Sequence, residues 1–207
     1  MKLYYHPASP FVRKVLLTAE LLGIELEKQI VELFAGAGQS PDYLRVNPQG
    51  KVPTLVDGDF TLWESNAIVQ YLAALAPASP LLPSDTRSRA DILRWQFWES
   101  SNWAPACAVY INENVLKPML GRGEADPAEL KKADEKFHRF ANVLDSHLSA
   151  HPWLVGDALT LADLSVAPVL MYAGPGKYPL DGYPHIAAWF GKIQQLPAWI
   201  ATAPPAA

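Results

Sequence analysis

The pattern of apolar and polar positions divides the chain into a mixed strand and helix region and a purely helical one. Residues 2–5, Lys-Leu-Tyr-Tyr, have the length and composition of a short strand. Ser9-Pro10 reads as a helix N-cap followed by proline at the first helical position, where its missing N–H costs nothing. Val12, Val15, Leu16, Ala19 and Leu22 share one face of the helix that follows, and Gly23 stops it. Residues 26–31 read as a second strand, and a strand–helix–strand unit predicts a parallel pair. Residues 34–40 are a loop of small residues, 41–46 a short helix, and Asn47-Pro48 a turn. A hairpin turning at Asp57-Gly58 and a helix over about 66–76 close this region.

Pro77, Pro80 and Pro83 crowd one short segment, which reads as a linker over 77–84 between a domain of residues 1–76 and another of 85–207. Beyond it every periodic stretch is helical. One helix runs from about 86 to 115, interrupted or kinked near Pro105, and ends before the Gly121-Arg122-Gly123 loop. Asp126-Pro127-Ala128-Glu129 combines an N-cap, a first-position proline and an N3 glutamate, starting a helix that reaches about 150. Thr160 and Asp163 have the spacing of a capping box, with Leu159 and Leu164 as its hydrophobic staple. The helix they begin crosses Pro168, which is expected to bend it. A last major helix runs from Pro184 to about 196, and residues 203–207 are a loose Ala/Pro tail.

Composition narrows the function classes. A chain of 207 residues that is 50% hydrophobic and 18% charged can bury the cores of two small domains. A net charge of -4 without a basic cluster argues against nucleic acid, since a surface that tracks phosphates needs a basic face. The single cysteine, Cys107, excludes an internal disulfide and a cysteine-rich metal site, and suits a reducing compartment. No charged-then-apolar leader precedes the first strand, and no apolar run approaches the roughly 18 residues of a membrane span. The expectation is a cytoplasmic protein with no membrane partner.

The chemistry concentrates between Gln49 and Ile68. Pro53 cannot donate a ladder hydrogen bond, so the backbone of Val52 beside it is available to pair with an extended ligand. That role predicts a cis Val52–Pro53 bond. Ser65 offers a hydroxyl and backbone N–H groups at a helix start, where the dipole favours a carboxylate. Glu64 stands next to it and suits an ammonium group. Glutathione, with a carboxylate and an amine at one end and a peptide backbone beyond, matches all three features.

The runs Asn47-Pro48-Gln49-Gly50-Lys51-Val52-Pro53 and Glu64-Ser65-Asn66-Ala67-Ile68 resemble the glutathione-binding signature of soluble glutathione S-transferases, of the serine type found in bacterial-like and phi-like members. Ser9-Pro10-Phe11-Val12-Arg13-Lys14-Val15 and Gly156-Asp157-Ala158-Leu159-Thr160-Leu161-Ala162-Asp163-Leu164-Ser165 agree with it, in the family's order and across most of the chain. The resemblance implies an α/β thioredoxin-like domain of order βαβαββα followed by an all-α domain. It implies a homodimer with glutathione as co-substrate and a hydrophobic electrophile or peroxide as partner. By the same resemblance Ser9 is the catalytic hydroxyl aimed at the sulfur, and Lys51, Val52, Pro53, Glu64 and Ser65 hold glutathione, Lys51 at the glycyl carboxylate. Phe11, Trp103 and Tyr110 are then walls of the hydrophobic co-substrate pocket.

A serine hydroxyl is energetically sufficient for the task. A free thiol has a pKa near 8.5, and holding it as thiolate at neutral pH needs a depression of about two units, or roughly 3 kcal/mol. One hydrogen bond to a charged acceptor supplies roughly 1.5–3 kcal/mol and a helix N-terminus about 0.3–2 kcal/mol. Tyr5, at the end of the first strand, is the rival hydroxyl, and His6 is expected to be a solvated loop histidine. Gly38-Gln39-Ser40 stand where related sequences tend to carry basic residues, which predicts a thinner charge clamp. Trp95, Trp98, Trp103 and Tyr110 recur at helical steps, a pattern that also describes a core. His147 and His151 lack a third ligand, and no metal is expected. Two rival readings remain: a non-catalytic glutathione-fold ligand carrier or regulatory subunit, and a glutathione-dependent thiol transferase or reductase, which normally needs a cysteine where Ser9 stands.

Overall fold

β1 (Lys2–Tyr5) pairs in parallel with β2 (Glu27–Ile30) and antiparallel with β3 (Thr54–Asp57), with Leu3 opposite both Lys28 and Leu55. β3 turns into the antiparallel β4 (Phe60–Trp63) through Gly58, whose φ of 60° is the left-handed conformation an Asp-Gly turn requires. The sheet order in the computed structural model is thus β2-β1-β3-β4. The structure describes residues 1–204, so the last three residues of the expected Ala/Pro tail lie outside the described residues.

α1 (Pro10–Leu22) starts where Ser9 accepts a hydrogen bond from the Val12 N–H and stops at Gly23, whose N–H reaches back to the Ala19 and Glu20 carbonyls. A single apolar face had been expected, but Arg13, Lys14, Leu17 and Thr18 are buried as well. α1 is covered on more than one side, by the helix Ser65–Ala74 and by the short helix Pro197–Ala201. From the latter, the Trp199 carbonyl accepts from Arg13 Nη2 at 2.8 Å, and the guanidinium lies 3.6 Å over the Trp199 ring. α2 (Pro41–Val46) is capped by Ser40, and α3 (Ser65–Ala74) follows β4. Leu3, Val15, Leu17, Leu55, Ile68 and Leu72 are fully or almost fully buried at the centre of this unit. The chain divides into one unit of Met1–Leu82 with the segment from Leu196, and a second of Pro83–Gln195.

The second unit is all helix. α4 (Thr86–Trp98), capped by Asp85, continues into α5 (Ala104–Ile111) and α6 (Lys117–Met119) through π-helical turns at Glu99–Trp103 and Asn112–Leu116. Each wide turn lies just ahead of a proline, Pro105 or Pro118, that removes one helical hydrogen bond. The expected interruption is therefore a change of winding rather than a break. α7 (Pro127–Ala150) starts at the Asp126 cap. α8 (Leu161–Val166) is short: Pro168 does not bend it but ends it, and the chain tightens into a 3-10 helix over Ala167–Tyr172. α9 (Pro184–Gln194) precedes the break at Leu196 and α10 (Pro197–Ala201).

Asp163 ties the second unit together. Its buried carboxylate accepts from the N–H of Leu154 at 3.0 Å and of Thr160 at 2.9 Å, from Thr160 Oγ1 at 3.1 Å and from Trp189 Nε1 at 2.9 Å. The first turn of α8 thus carries the expected reciprocal capping box. Burial pushes the Asp163 carboxyl upward, against the pull of these four donors.

Candidate functional site

Ser9, Phe11, Lys51, Val52, Pro53, Glu64 and Ser65 all stand in the first unit, at the starts of α1 and α3 and in the loop before β3. Ser9 Oγ is 3.3 Å from the Val12 N–H it accepts, and among the described residues the hydroxyl donates to nothing. It is half-buried, and its proton is available to a ligand.

The turn before Ser9 is more ordered than its sequence suggests. His6 is only 8% exposed, with its ring edge-on to Phe34 at 4.9 Å, rather than solvated. Its Nδ1 accepts from the Ala8 N–H at 3.3 Å and its carbonyl accepts from the Ser9 N–H at 3.0 Å, which fixes the approach to the α1 cap. Tyr5 packs into the apolar cluster of Val12, Val31, Tyr43 and Val52.

Val52–Pro53 is cis, and both residues are buried. Strand pairing of β3 begins only at Thr54, and neither the N–H nor the C=O of Val52 has a hydrogen-bond partner among the described residues. Buried backbone groups are nearly always paired, so an unpaired edge of this kind can exchange hydrogen bonds with an added extended backbone. The loop leading to it is held from behind. The Lys51 carbonyl accepts from Tyr43 Oη at 2.6 Å and Asn47 Nδ2 at 2.8 Å, and Asn47 and Tyr43 both reach Thr54 Oγ1, at 2.9 and 3.0 Å. Burial raises the Tyr43 phenol above its ordinary pKa of 10.0, so it remains a protonated donor at physiological pH. The Lys51 side chain is exposed and, among the described residues, makes no ion pair. Ser40 is committed to capping α2 from the Tyr43 N–H, which leaves Lys51 as the cation of this loop.

The two helix starts differ. α1 and α2 are capped by serines, whereas α3 has no side-chain cap, and its first helical bond runs from the Ile68 N–H to the Glu64 carbonyl. The N–H groups of Ser65 and Ala67 have no acceptor among the described residues. Glu64 holds φ at 72°, a conformation unfavourable for a residue with a side chain and of the kind that gathers at ligand sites. Lys14 is completely buried, its ammonium 3.4 Å from Asn66 Oδ1 and 5.0 Å from the centre of the Phe11 ring. Its Nζ stands between the starts of α1 and α3, and helical periodicity had given it no role. Phe11 is 38% exposed beside it.

Trp103 and Tyr110 lie in the interior of the second unit. Trp103 is stacked on Trp98 and tilted against Phe137, and Tyr110 packs on Phe137 and Tyr178 while its hydroxyl donates to Asp134 at 2.5 Å. Cys107 is buried, and burial pushes its thiol well above the ordinary range. The His147 and His151 rings stack at 4.6 Å, and His147 Nε2 is 3.1 Å from the Leu154 carbonyl. Among the described residues no group of three or more His, Cys, Asp or Glu side chains is arranged to hold a metal. Nor is any helix among the described residues long and apolar enough to cross a membrane.

Residues 8–75 match the family described as glutathione S-transferase, N-terminal domain, and residues 105–197 that described as glutathione S-transferase, C-terminal domain. Glutathione S-transferase 3 of Zea mays is 36% identical over 207 residues, covering 98% of this chain and 92% of the relative. A glutathione S-transferase of Hyoscyamus muticus is 35% identical over 203 residues, covering 96% and 95%. The crystal structure of glutathione transferase F7 from Populus trichocarpa superposes with a TM-score of 0.90 at 29% identity, over 98% of this chain and 97% of that one. The solved structure of a glutathione S-transferase I bound with lactoylglutathione superposes with a TM-score of 0.87 at 30% identity, over 98% and 97%. The uncapped start of α3, the unpaired edge at Val52 and the free hydroxyl at the α1 cap accordingly sit in a chain that belongs to the glutathione S-transferase family.

Proposed function

We propose that the chain binds glutathione in its first unit, holds the thiol as thiolate and delivers it to a hydrophobic electrophile or peroxide. The observation that carries this reading is the α3 start, which unlike α1 and α2 has no cap, so a ligand carboxylate completes it. In this reading Ser65 and the α3 N–H groups take the γ-glutamyl carboxylate and Glu64 the ammonium group. Val52 pairs with the peptide backbone, with Pro53 closing that edge, and Lys51 takes the glycyl carboxylate. Ser9 donates its free proton to the sulfur. The α1 N-terminus adds positive potential in the same region. Phe11 offers exposed aromatic surface for the electrophile next to this start.

No metal takes part in this reading, since the thiolate is stabilised by a hydroxyl donor and a helix start. The protein acts as a homodimer in the cytoplasm, a reading supported by its family and by its single buried cysteine. Light scattering at micromolar concentration is expected to give twice the chain mass, and a monomer mass contradicts the dimer. The catalytic reading is tested by retention on immobilised glutathione followed by turnover of a nitro-activated aryl chloride and of an organic hydroperoxide. Retention with turnover of either supports it, and retention without any turnover supports a binding module instead.

A further inference from the structure

The geometry points to a backbone latch in which Tyr43, Asn47 and Thr54, none of them touching the ligand, orient the Val52 N–H toward glutathione by pinning the Lys51 carbonyl. This inference rests on the reading of Val52 given above. The Lys51 carbonyl and the Val52 N–H belong to one peptide unit. Such a unit is planar, and in its trans form the C=O and N–H point in opposite directions. Val52–Pro53 is the one cis bond among the described residues, so the Lys51–Val52 bond is trans. Turning the carbonyl one way therefore turns the N–H the other way.

The carbonyl is held firmly. Tyr43 Oη donates to it at 2.6 Å from α2, and Asn47 Nδ2 donates at 2.8 Å from the end of the same helix. Thr54 Oγ1, at the first residue of β3, lies 3.4 Å from the carbonyl and accepts the second Asn47 N–H at 2.9 Å. With the Tyr43 proton committed to Lys51, the Thr54 hydroxyl is the donor in the 3.0 Å contact between the two side chains. Asn47 Oδ1 accepts the Gln49 N–H at 2.9 Å, so every polar atom of the cluster has a partner. A fully satisfied, buried polar cluster fixes one geometry where an apolar cluster would allow several. Its members are rigidly mounted, since Tyr43 is 6%, Asn47 1% and Thr54 0% exposed.

The Val52 N–H is the group that this leaves without a partner. The latch thus pre-orients a donor that would otherwise have to be ordered by the ligand, and pre-organisation appears as affinity. Tyr43, Asn47 and Thr54 are positioning residues, and their effect should fall on glutathione binding and not on the chemical step.

Tyr43→Phe and Thr54→Val remove one hydroxyl or its donor capacity each while keeping the shape of the side chain. Calorimetry with glutathione and steady-state turnover are read side by side. The expected result is a dissociation constant and glutathione KM raised about tenfold in Tyr43→Phe, the equivalent of roughly 1.4 kcal/mol. kcat at saturating glutathione and KM for the electrophile should stay within about twofold of the parent. Thr54→Ser, which restores the hydroxyl, should return the Thr54→Val loss toward the parent value. If Tyr43→Phe does not fold, judged by its thermal transition, the Thr54 pair decides alone. Glutathione affinity unchanged in the folded variants overturns the latch while leaving the functional reading intact. A fall in kcat matching the rise in KM also overturns it, because the cluster would then act on more than orientation. A parent protein that does not bind glutathione overturns the functional reading and the latch with it.

Discussion

At the scale of single residues the candidate site is a set of polar groups left open in otherwise satisfied surroundings. Ser65 is 6% exposed at the uncapped start of α3, next to a Glu64 held at positive φ. Strain of that kind, of order 1–3 kcal/mol, persists only where the surroundings over-determine it. Ser65→Ala is expected to weaken glutathione binding by roughly 1–3 kcal/mol, the range for a lost hydrogen bond to a charged group, and calorimetry of the two proteins measures it. Equal affinities would remove Ser65 from the site. The residues of the loop and of the α3 start were legible in the sequence because proline, glycine and serine impose backbone conformations that need no tertiary context. His6, Lys14 and the Tyr43, Asn47 and Thr54 cluster were not. Their roles come from partners such as Phe34, Asn66 and the Lys51 carbonyl, brought close by folding, and no periodicity encodes such meetings.

At the scale of elements, sequence pattern located the strands and helices of the first unit closely and the helix interiors of the second less well. Capping residues mark ends by local chemistry, so the starts at Ser9, Asp126 and Thr160 were readable. The π-helical turns ahead of Pro105 and Pro118 were not, because a proline signals that a hydrogen bond is lost without saying how the turn adjusts. The end of α7 offers a test of the local electrostatics. His147 lies half-buried, its ring 4.9 Å from Trp95 and 4.6 Å from His151. Burial, then the neighbouring His151, lowers its pKa from the ordinary 6.5, with the Leu154 carbonyl pulling the other way. The unfolded chain therefore takes up this proton first as pH falls. The stabilisation is present above about pH 6.5 and is lost as pH drops through the folded-state value. Denaturant midpoints at about pH 7.5 and about pH 5.5 should fall further in the parent than in His147→Gln. Equal losses would show that another group dominates.

At the scale of the whole molecule the sequence reading places a linker at 77–84 between domains of 1–76 and 85–207, whereas the structure groups Met1–Leu82 with the segment from Leu196 and sets Pro83–Gln195 apart. The sequence reading ends its last helix at about 196 and gives no element to Pro197–Ala201, which forms a short helix of its own. What returns it to the first unit is Trp199 against Arg13, a pairing 186 positions apart in the chain. Arg13 is 5% exposed, and burial draws its pKa down to about 10, so it stays charged while its guanidinium lies on the Trp199 ring. As an enzyme, the molecule is proposed to hold bound glutathione as thiolate through Ser9. The measurement that tests it most directly is the ultraviolet titration of bound thiolate in the parent, Ser9→Ala and Tyr5→Phe proteins. Ser9→Ala is expected to raise the thiol pKa by about one to two units, at roughly 1.4 kcal/mol per unit, with little loss of binding, and Tyr5→Phe to leave it in place. A shift in Tyr5→Phe with none in Ser9→Ala contradicts the account and makes the tyrosine the activating hydroxyl.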